Sequence, residues 1–177
     1  MDRLLMFLSL ALLGIGTAGA APELRLSTTL AAAPLAPAGR ASLPPALRLR
    51  LADDVRTGIG ALLLDKALSM LGTEYALGRN DGDAVDCSGL VQQVFRSAGL
   101  DLPRTADELL KTGVAVPRAQ LRPGDLLIYR WKPRQLHVAV YVDDGYIVHA
   151  SPSAGRVVVT ELSGRWRRKL VAVRRLL

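Results

Sequence analysis

The chain has 177 residues, half of them hydrophobic, with 23 Lys and Arg against 16 Asp and Glu, a formal charge of +7 and a sequence pI of about 10.2. That is enough chain for one good core, short for two, and too apolar for a disordered segment. A single cysteine excludes an internal disulfide, and with no aromatic–basic pattern of the nucleic-acid-reading kind the positive charge points to an anionic cell envelope or membrane surface, with no nucleic-acid partner expected.

Residues 1–20 have the layout of a signal peptide. Met1-Asp2-Arg3 gives a short, weakly positive start, residues 4–15 an apolar run, and Ala18-Gly19-Ala20 a small-x-small cleavage site. The run is too short to span a bilayer comfortably, so cleavage and export are expected, to the periplasm, the cell wall or the medium. Residues 21–52, rich in Ala, Pro and Arg, read as an extended linker, because Pro34, Pro37, Pro44 and Pro45 prevent a long helix. One domain is then expected over 53–177.

That domain begins with a helical pattern from Asp53 or Asp54 to about residue 71, closed at Gly72, and continues into a polar loop over 73–84. Asp86 is a good N-cap type, and Leu90, Val91, Val94 and Phe95 lie at helical spacing after it, so Cys87 falls at the start of a helix closed by Gly99. Unpaired N–H groups and the positive end of the helix dipole favour a thiolate there. The competing reading is a small buried hydrophobe, the usual fate of a lone cysteine. Thr105 caps a short helix through 110, with Glu108 in the capping-box position. From Val114 the period changes to two. Strands are predicted over 126–130, 136–142, 146–150, 156–162 and 169–176, with a hairpin turn at Asp143-Asp144-Gly145. Helices first and an antiparallel meander afterwards make an α+β layout, the helices packed on one face of the sheet.

The chain has two histidines, His137 and His149, one in each arm of that hairpin. With Val142 opposite Tyr146 across a three-residue loop, Ala139 opposes His149, and His137 shares its face as a diagonal neighbour. A two-residue loop would put the two on opposite faces unless a bulge intervened. One cysteine at a helix start and two histidines on one sheet face suit nucleophilic attack on a carbonyl. Cys87 attacks, His137 carries the proton, His149 orients His137, and N–H groups at the helix start stabilise the oxyanion. Zinc ligation by the same three residues is an alternative, though catalytic zinc prefers closer ligand spacing and a general base.

Asp86-Cys87-Ser88-Gly89-Leu90-Val91 resembles the nucleophile motif of the NlpC-type cell-wall peptidases, which are papain-like cysteine peptidases. Further stretches match in the same order: Tyr75-Ala76-Leu77-Gly78, Leu102-Pro103-Arg104-Thr105, Pro123-Gly124-Asp125, and the two histidine strands around His137 and His149. The resemblance implies a papain-like fold and a secreted endopeptidase acting on peptidoglycan stem peptides, usually between D-γ-glutamate and a diamino acid. It implies Cys87 as nucleophile, His137 as base and acid, His149 as orienting residue, and Tyr75 beside the nucleophile. Asp86 and Ser88 would bind a stem-peptide amine, with helix capping the competing role for Asp86. No metal or cofactor and a monomer are expected. Another amide hydrolase or acyltransferase on this scaffold, or a non-catalytic envelope-binding protein, are the rival readings. Arg79 replaces a common second glycine after Gly78, and Ala139 stands where glycine is common. Two basic, aromatic stretches, 130–134 and 165–169, could touch glycan or anionic wall polymer, or be solvated tips.

Overall fold

The computed structural model describes residues 43–45 and 58–177. The expected signal segment, nearly all of the linker, and the helix start at Asp53 or Asp54 lie outside the described residues. Helix α1 (Ile59–Ser69) runs from Gly58 and turns Leu63, Leu64, Ala67 and Leu68 into the core. The stretch expected as loop then contributes two short strands, β1 (Glu74–Tyr75) and β2 (Ala84–Val85), paired in parallel. Two-residue strands leave no period in a sequence; these exist because Glu74 pairs with Arg156 at the sheet edge.

Helix α2 (Cys87–Arg96) starts at Asp86, whose side chain accepts from the Gly89 amide, and buries Leu90, Val91, Val94 and Phe95. Each such side chain is worth about 2 kcal/mol of apolar burial. Helix α3 (Ala106–Leu109) carries the predicted capping box: Thr105 accepts from the Glu108 amide while Glu108 reaches back to the Thr105 N–H.

Among the described residues the sheet has eight strands in the order β2-β1-β7-β6-β5-β4-β8-β3. Its remaining strands are β3 (Val114–Ala115), β4 (Leu126–Lys132), β5 (Gln135–Asp143), β6 (Tyr146–Ser151), β7 (Arg156–Glu161) and β8 (Leu170–Arg175). β4 to β7 form the expected antiparallel meander. β8 leaves it: instead of continuing beyond β7 it crosses back to pair with β4, Leu126 opposite Arg174. Asp125, almost fully buried, fixes that return by accepting from Nε and Nη2 of Arg175 at 2.7 and 2.8 Å.

The crossing is made by α4 (Gly164–Lys169), where the sequence reads as a basic, aromatic stretch or solvated tip. Arginine and lysine are good helix formers, and Trp166 supplies the buried side that keeps one short helix in place. This helix, which the sequence does not predict, lies on the opposite face from the N-terminal helices, which pack on one face as expected. Leu126, Ile128, Val138, Val140 and Val148 meet α1, α2 and α3 on one side. Leu127, Tyr129, Ala139, Tyr141 and Ile147 alternate with them on the other side, where Trp131 and Trp166 cover them. Leu43, within the stretch read as linker, is 2% exposed and belongs to the first core. No helix among the described residues is long and apolar enough to cross a membrane.

Candidate active site

The site is set by the β5–β6 hairpin. Val140 opposes Val148 and Tyr141 opposes Ile147, the register in which Ala139 faces His149. The tip differs from the three-residue loop expected. Asp143 opposes Tyr146, so the turn is the two residues Asp144 and Gly145, with φ of 49° and 78°. Two positive φ values are what a tight hairpin with right-handed strand twist requires. Val142 is left as one extra residue, a bulge between Tyr141 and Asp143, and it restores the parity that the shorter turn would reverse. His137 and His149 therefore share a face.

His137 Nε2 lies 3.0 Å from His149 Nδ1, and His149 Nε2 lies 3.1 Å from Oγ1 of Thr160 on β7. Both rings are buried. Trp166 packs against them, its ring centroid 4.7 Å from that of His149 and 6.0 Å from that of His137. Tyr129, opposite His137 across β4–β5, adds a further ring at 6.5 Å. Burial pushes the basicity of both imidazoles far below the ordinary histidine range, and for His137 the neighbouring His149 adds to the effect. The resting pair is neutral. Sequence reasoning does not place Thr160 or Trp166 at the histidines: an alternating strand gives no reason to single out one threonine, and Trp166 reads there only as part of a basic, aromatic surface stretch.

Cys87, half-buried, is the first residue of α2 as expected. Its thiol is within reach of the amide of Val138, the residue after His137, which brings it to β5. The expected bias toward thiolate is outweighed. Burial pushes the thiol up and the Asp86 carboxylate adds to this, against the N–H groups of Val138, Ser88 and Cys87 itself. Tyr75, on β1, stands close enough to Cys87 and Asp86 for both to raise its hydroxyl's pKa after burial has done so.

Asp86 is the most heavily bonded group of the site. Its Oδ1 accepts from Gly89 N at 2.7 Å, Arg104 Nη1 at 2.8 Å and Ser88 Oγ at 3.2 Å; its Oδ2 accepts from Arg104 Nη2 at 2.7 Å and Gly78 N at 2.9 Å. Arg104 Nη1 also donates to Ser88 Oγ at 2.8 Å. A carboxylate offers about four lone-pair sites, so these five donors fill it. Desolvation opposes ionisation of Asp86, yet Arg104 and the Gly89 and Gly78 amides together hold it below the usual carboxylate range. The structure thus shows the capping role for Asp86, with Arg104 where a substrate amine was expected. Gly89 belongs to this knot because a Cβ there would meet the Arg79 carbonyl at 2.5 Å. Among the described residues no three His, Cys, Asp or Glu side chains are grouped to hold a metal.

The NlpC/P60 family model matches residues 72–175, more than half of the chain and the whole of this site. The chain belongs to the NlpC/P60 family. Its α+β architecture is the papain-like one of that family. The murein DD-endopeptidase MepS/murein LD-carboxypeptidase of Escherichia coli K12 is 35% identical over 116 residues, covering 65% of this chain and 62% of that protein. A γ-D-glutamyl-L-lysine dipeptidyl-peptidase of Bacillus cereus is 33% identical over 112 residues, 62% of this chain and 33% of the relative. The chain thus spans less than two thirds of the length of these relatives. Among solved NlpC/P60 structures, one from Bacillus cereus superposes with a TM-score of 0.64 at 27% identity, over 70% of this chain and 42% of that one. RipD of Mycobacterium tuberculosis, a non-catalytic NlpC/p60 domain protein, superposes at 0.59 with 25% identity, over 69% of this chain and 100% of the chain in that structure.

Proposed function

We propose that this NlpC/P60 protein is an exported cysteine endopeptidase that hydrolyses an amide bond in peptidoglycan stem peptides, between D-γ-glutamate and a diamino acid. Peptidoglycan hydrolysis is supported by the activities named for the Escherichia coli and Bacillus relatives. The observation that carries catalysis is the buried His137–His149–Thr160 chain of contacts, on a strand whose Val138 amide, next to His137, meets the Cys87 thiol at a helix start.

In this reading His149 donates through Nε2 to Thr160 and accepts at Nδ1 from His137 Nε2–H. His137 then presents an unprotonated Nδ1 as base. The resting thiol and imidazole are both neutral, so the Cys87 proton passes to His137 as sulfur attacks the carbonyl carbon. The oxyanion is met by N–H groups at the start of α2. Collapse of the tetrahedral adduct breaks the C–N bond, and His137 returns the proton to the leaving amine. Water, deprotonated by His137, then cleaves the thioester and frees Cys87. Tyr75 lines the approach to the sulfur. Asp86 and Ser88 would receive a stem-peptide amine only by exchange with Arg104. Residues 1–20 would direct the chain to the periplasm or cell wall.

Digestion of purified muropeptides by the wild-type chain and by Cys87→Ala, read by mass spectrometry, tests this. Stem-peptide cleavage by wild type alone is expected. Binding of muropeptides by the wild type with no cleavage of any stem peptide would overturn the proposal and leave a binding protein like RipD.

A further inference from the structure

The two basic stretches are far apart in sequence and form one surface. Trp131, on β4 near the β4–β5 turn, and Trp166, on α4, meet edge to face with centroids 5.0 Å apart, and the Arg165 guanidinium lies 5.0 Å from the Trp131 ring centroid. Around this aromatic joint stand Lys132 and Arg134 from the hairpin and Arg165, Arg167, Arg168 and Lys169 from α4, all exposed. Surface arginines elsewhere do find acids, as Arg96 finds Asp101 and Arg79 finds Asp81. Among the described residues none of these six cations has a carboxylate partner. Gathering like charges without acids costs free energy through self-repulsion, so the arrangement suits an anionic ligand better than a free solvated face.

The surface is also continuous with the candidate active site. Trp166, which holds α4 to the hairpin, is the ring that packs on His149 and His137. A polymer lying across the cations would run alongside the histidines. We infer that the hairpin and α4 form a cationic platform that binds carboxylates of the peptidoglycan polymer next to the stem peptide being cut. The inference rests on the proposed function and adds to it a preference for intact wall over isolated peptides. A γ-amide of glutamate leaves the α-carboxylate free, so each neighbouring stem offers at least one anion. Guanidinium groups match that anion as two-pronged donors. Attraction between exposed charges of this kind is screened by salt.

The test is pelleting of the Cys87→Ala chain with purified sacculi freed of protein and of phosphate polymers. Against it stand a platform variant, Lys132→Gln, Arg134→Gln, Arg168→Gln and Lys169→Gln, and a control with equal charge loss elsewhere, Lys66→Gln, Arg96→Gln, Lys111→Gln and Arg122→Gln. The platform variant is expected to bind about tenfold or more weakly at low salt while melting like its parent, and the control to bind as the parent does. Amidating the sacculus carboxylates with carbodiimide and ammonia should abolish parental binding. Equal pelleting of platform variant and control would overturn the inference, as would binding that survives amidation or that requires sacculi retaining phosphate polymers. Pelleting needs no turnover. A wild-type chain that pellets but cuts no muropeptide removes the proposed activity, whereas one that cuts muropeptides but pellets like its platform variant removes only the platform.

Discussion

His137 and His149 meet at 3.0 Å because a bulge at Val142 absorbs the one residue by which the hairpin's two arms differ. With Val142 held in a regular ladder, the two-residue turn would put His149 on the opposite face. Deleting Val142 takes out the extra residue and its bulge together and leaves Tyr141 opposite Ile147 beside Asp143 opposite Tyr146, so the histidines keep one face and turnover should stay within about tenfold of wild type. Muropeptide turnover measures this, with circular dichroism to show that the sheet persists. A loss of about a thousandfold or more, the scale of losing a triad member, would mean that the bulge does more than keep the register.

Thiol alkylation against pH reads the balance around Cys87. Burial and Asp86 outweigh the helix start, so the thiol's pKa lies above its ordinary value of about 8.5. Labelling by iodoacetamide should be slow at pH 6 and still rising above pH 9. A plateau between pH 5 and 7 would reveal a preformed thiolate and contradict the neutral resting site.

Acid should destabilise the fold through the histidines. Both have folded-state pKa values below the roughly 6.5 of an unfolded chain. Between those limits the unfolded state binds more protons, so stability falls as pH drops below about 6.5, by up to about 1.4 kcal/mol per unit for each histidine. Asp86, held low, adds its own loss only below about pH 4. Urea titrations at pH 7.5 and pH 5 should show the decline in wild type and a shallower one in His149→Gln. Equal slopes would remove His149 from the account.

Gly89→Ala inverts the usual helix rule. An exposed helical glycine gains about 1 kcal/mol on replacement by alanine. Here the new Cβ would press on the Arg79 carbonyl at 2.5 Å, a backbone atom held in place by the Asp86 amide that donates to it. The variant should lose about 1–3 kcal/mol in denaturant unfolding. A gain in stability would show that the loop over 78–80 can retreat.

Arg104→Gln removes two of the five donors on Asp86. Because the arginine is partly exposed, the cost should be about 1–3 kcal/mol and not the larger penalty of a fully buried pair. Adding Asp86→Asn should cost much less than it does alone, and a double-mutant cycle measures that coupling. Simple additivity would mean that the pair is not a working contact.

These tests fall mostly on features that spacing alone could reveal. The Asp86 cap, the Thr105–Glu108 capping box and the β4–β7 meander are local, and local rules write themselves into the sequence. The histidine pairing was legible as parity but not as mechanism, since a three-residue loop and a two-residue turn with a bulge reach the same face. β1, β2 and the return of β8 to β4 depend on partners distant in sequence, which no period records. Trp166 and Thr160 act across the sheet, from α4 and β7, so their part in the site appears only once the chain has closed. Arg104 was visible within a motif, yet its two bonds to Asp86 required coordinates.

Leu43 gives the domain an earlier beginning than composition suggests. It lies ten residues before Asp53, in a stretch dominated by alanine and proline, and it is closed into the same core as Phe95 and Val140. Trimming the chain at Asp53 would remove that side chain and leave a leucine-sized void, a defect of about 2–5 kcal/mol by the measure of buried leucine truncations. The boundary of the folded domain is therefore set by where its core closes, and a chain shortened for expression has to keep Leu43 to keep that core whole.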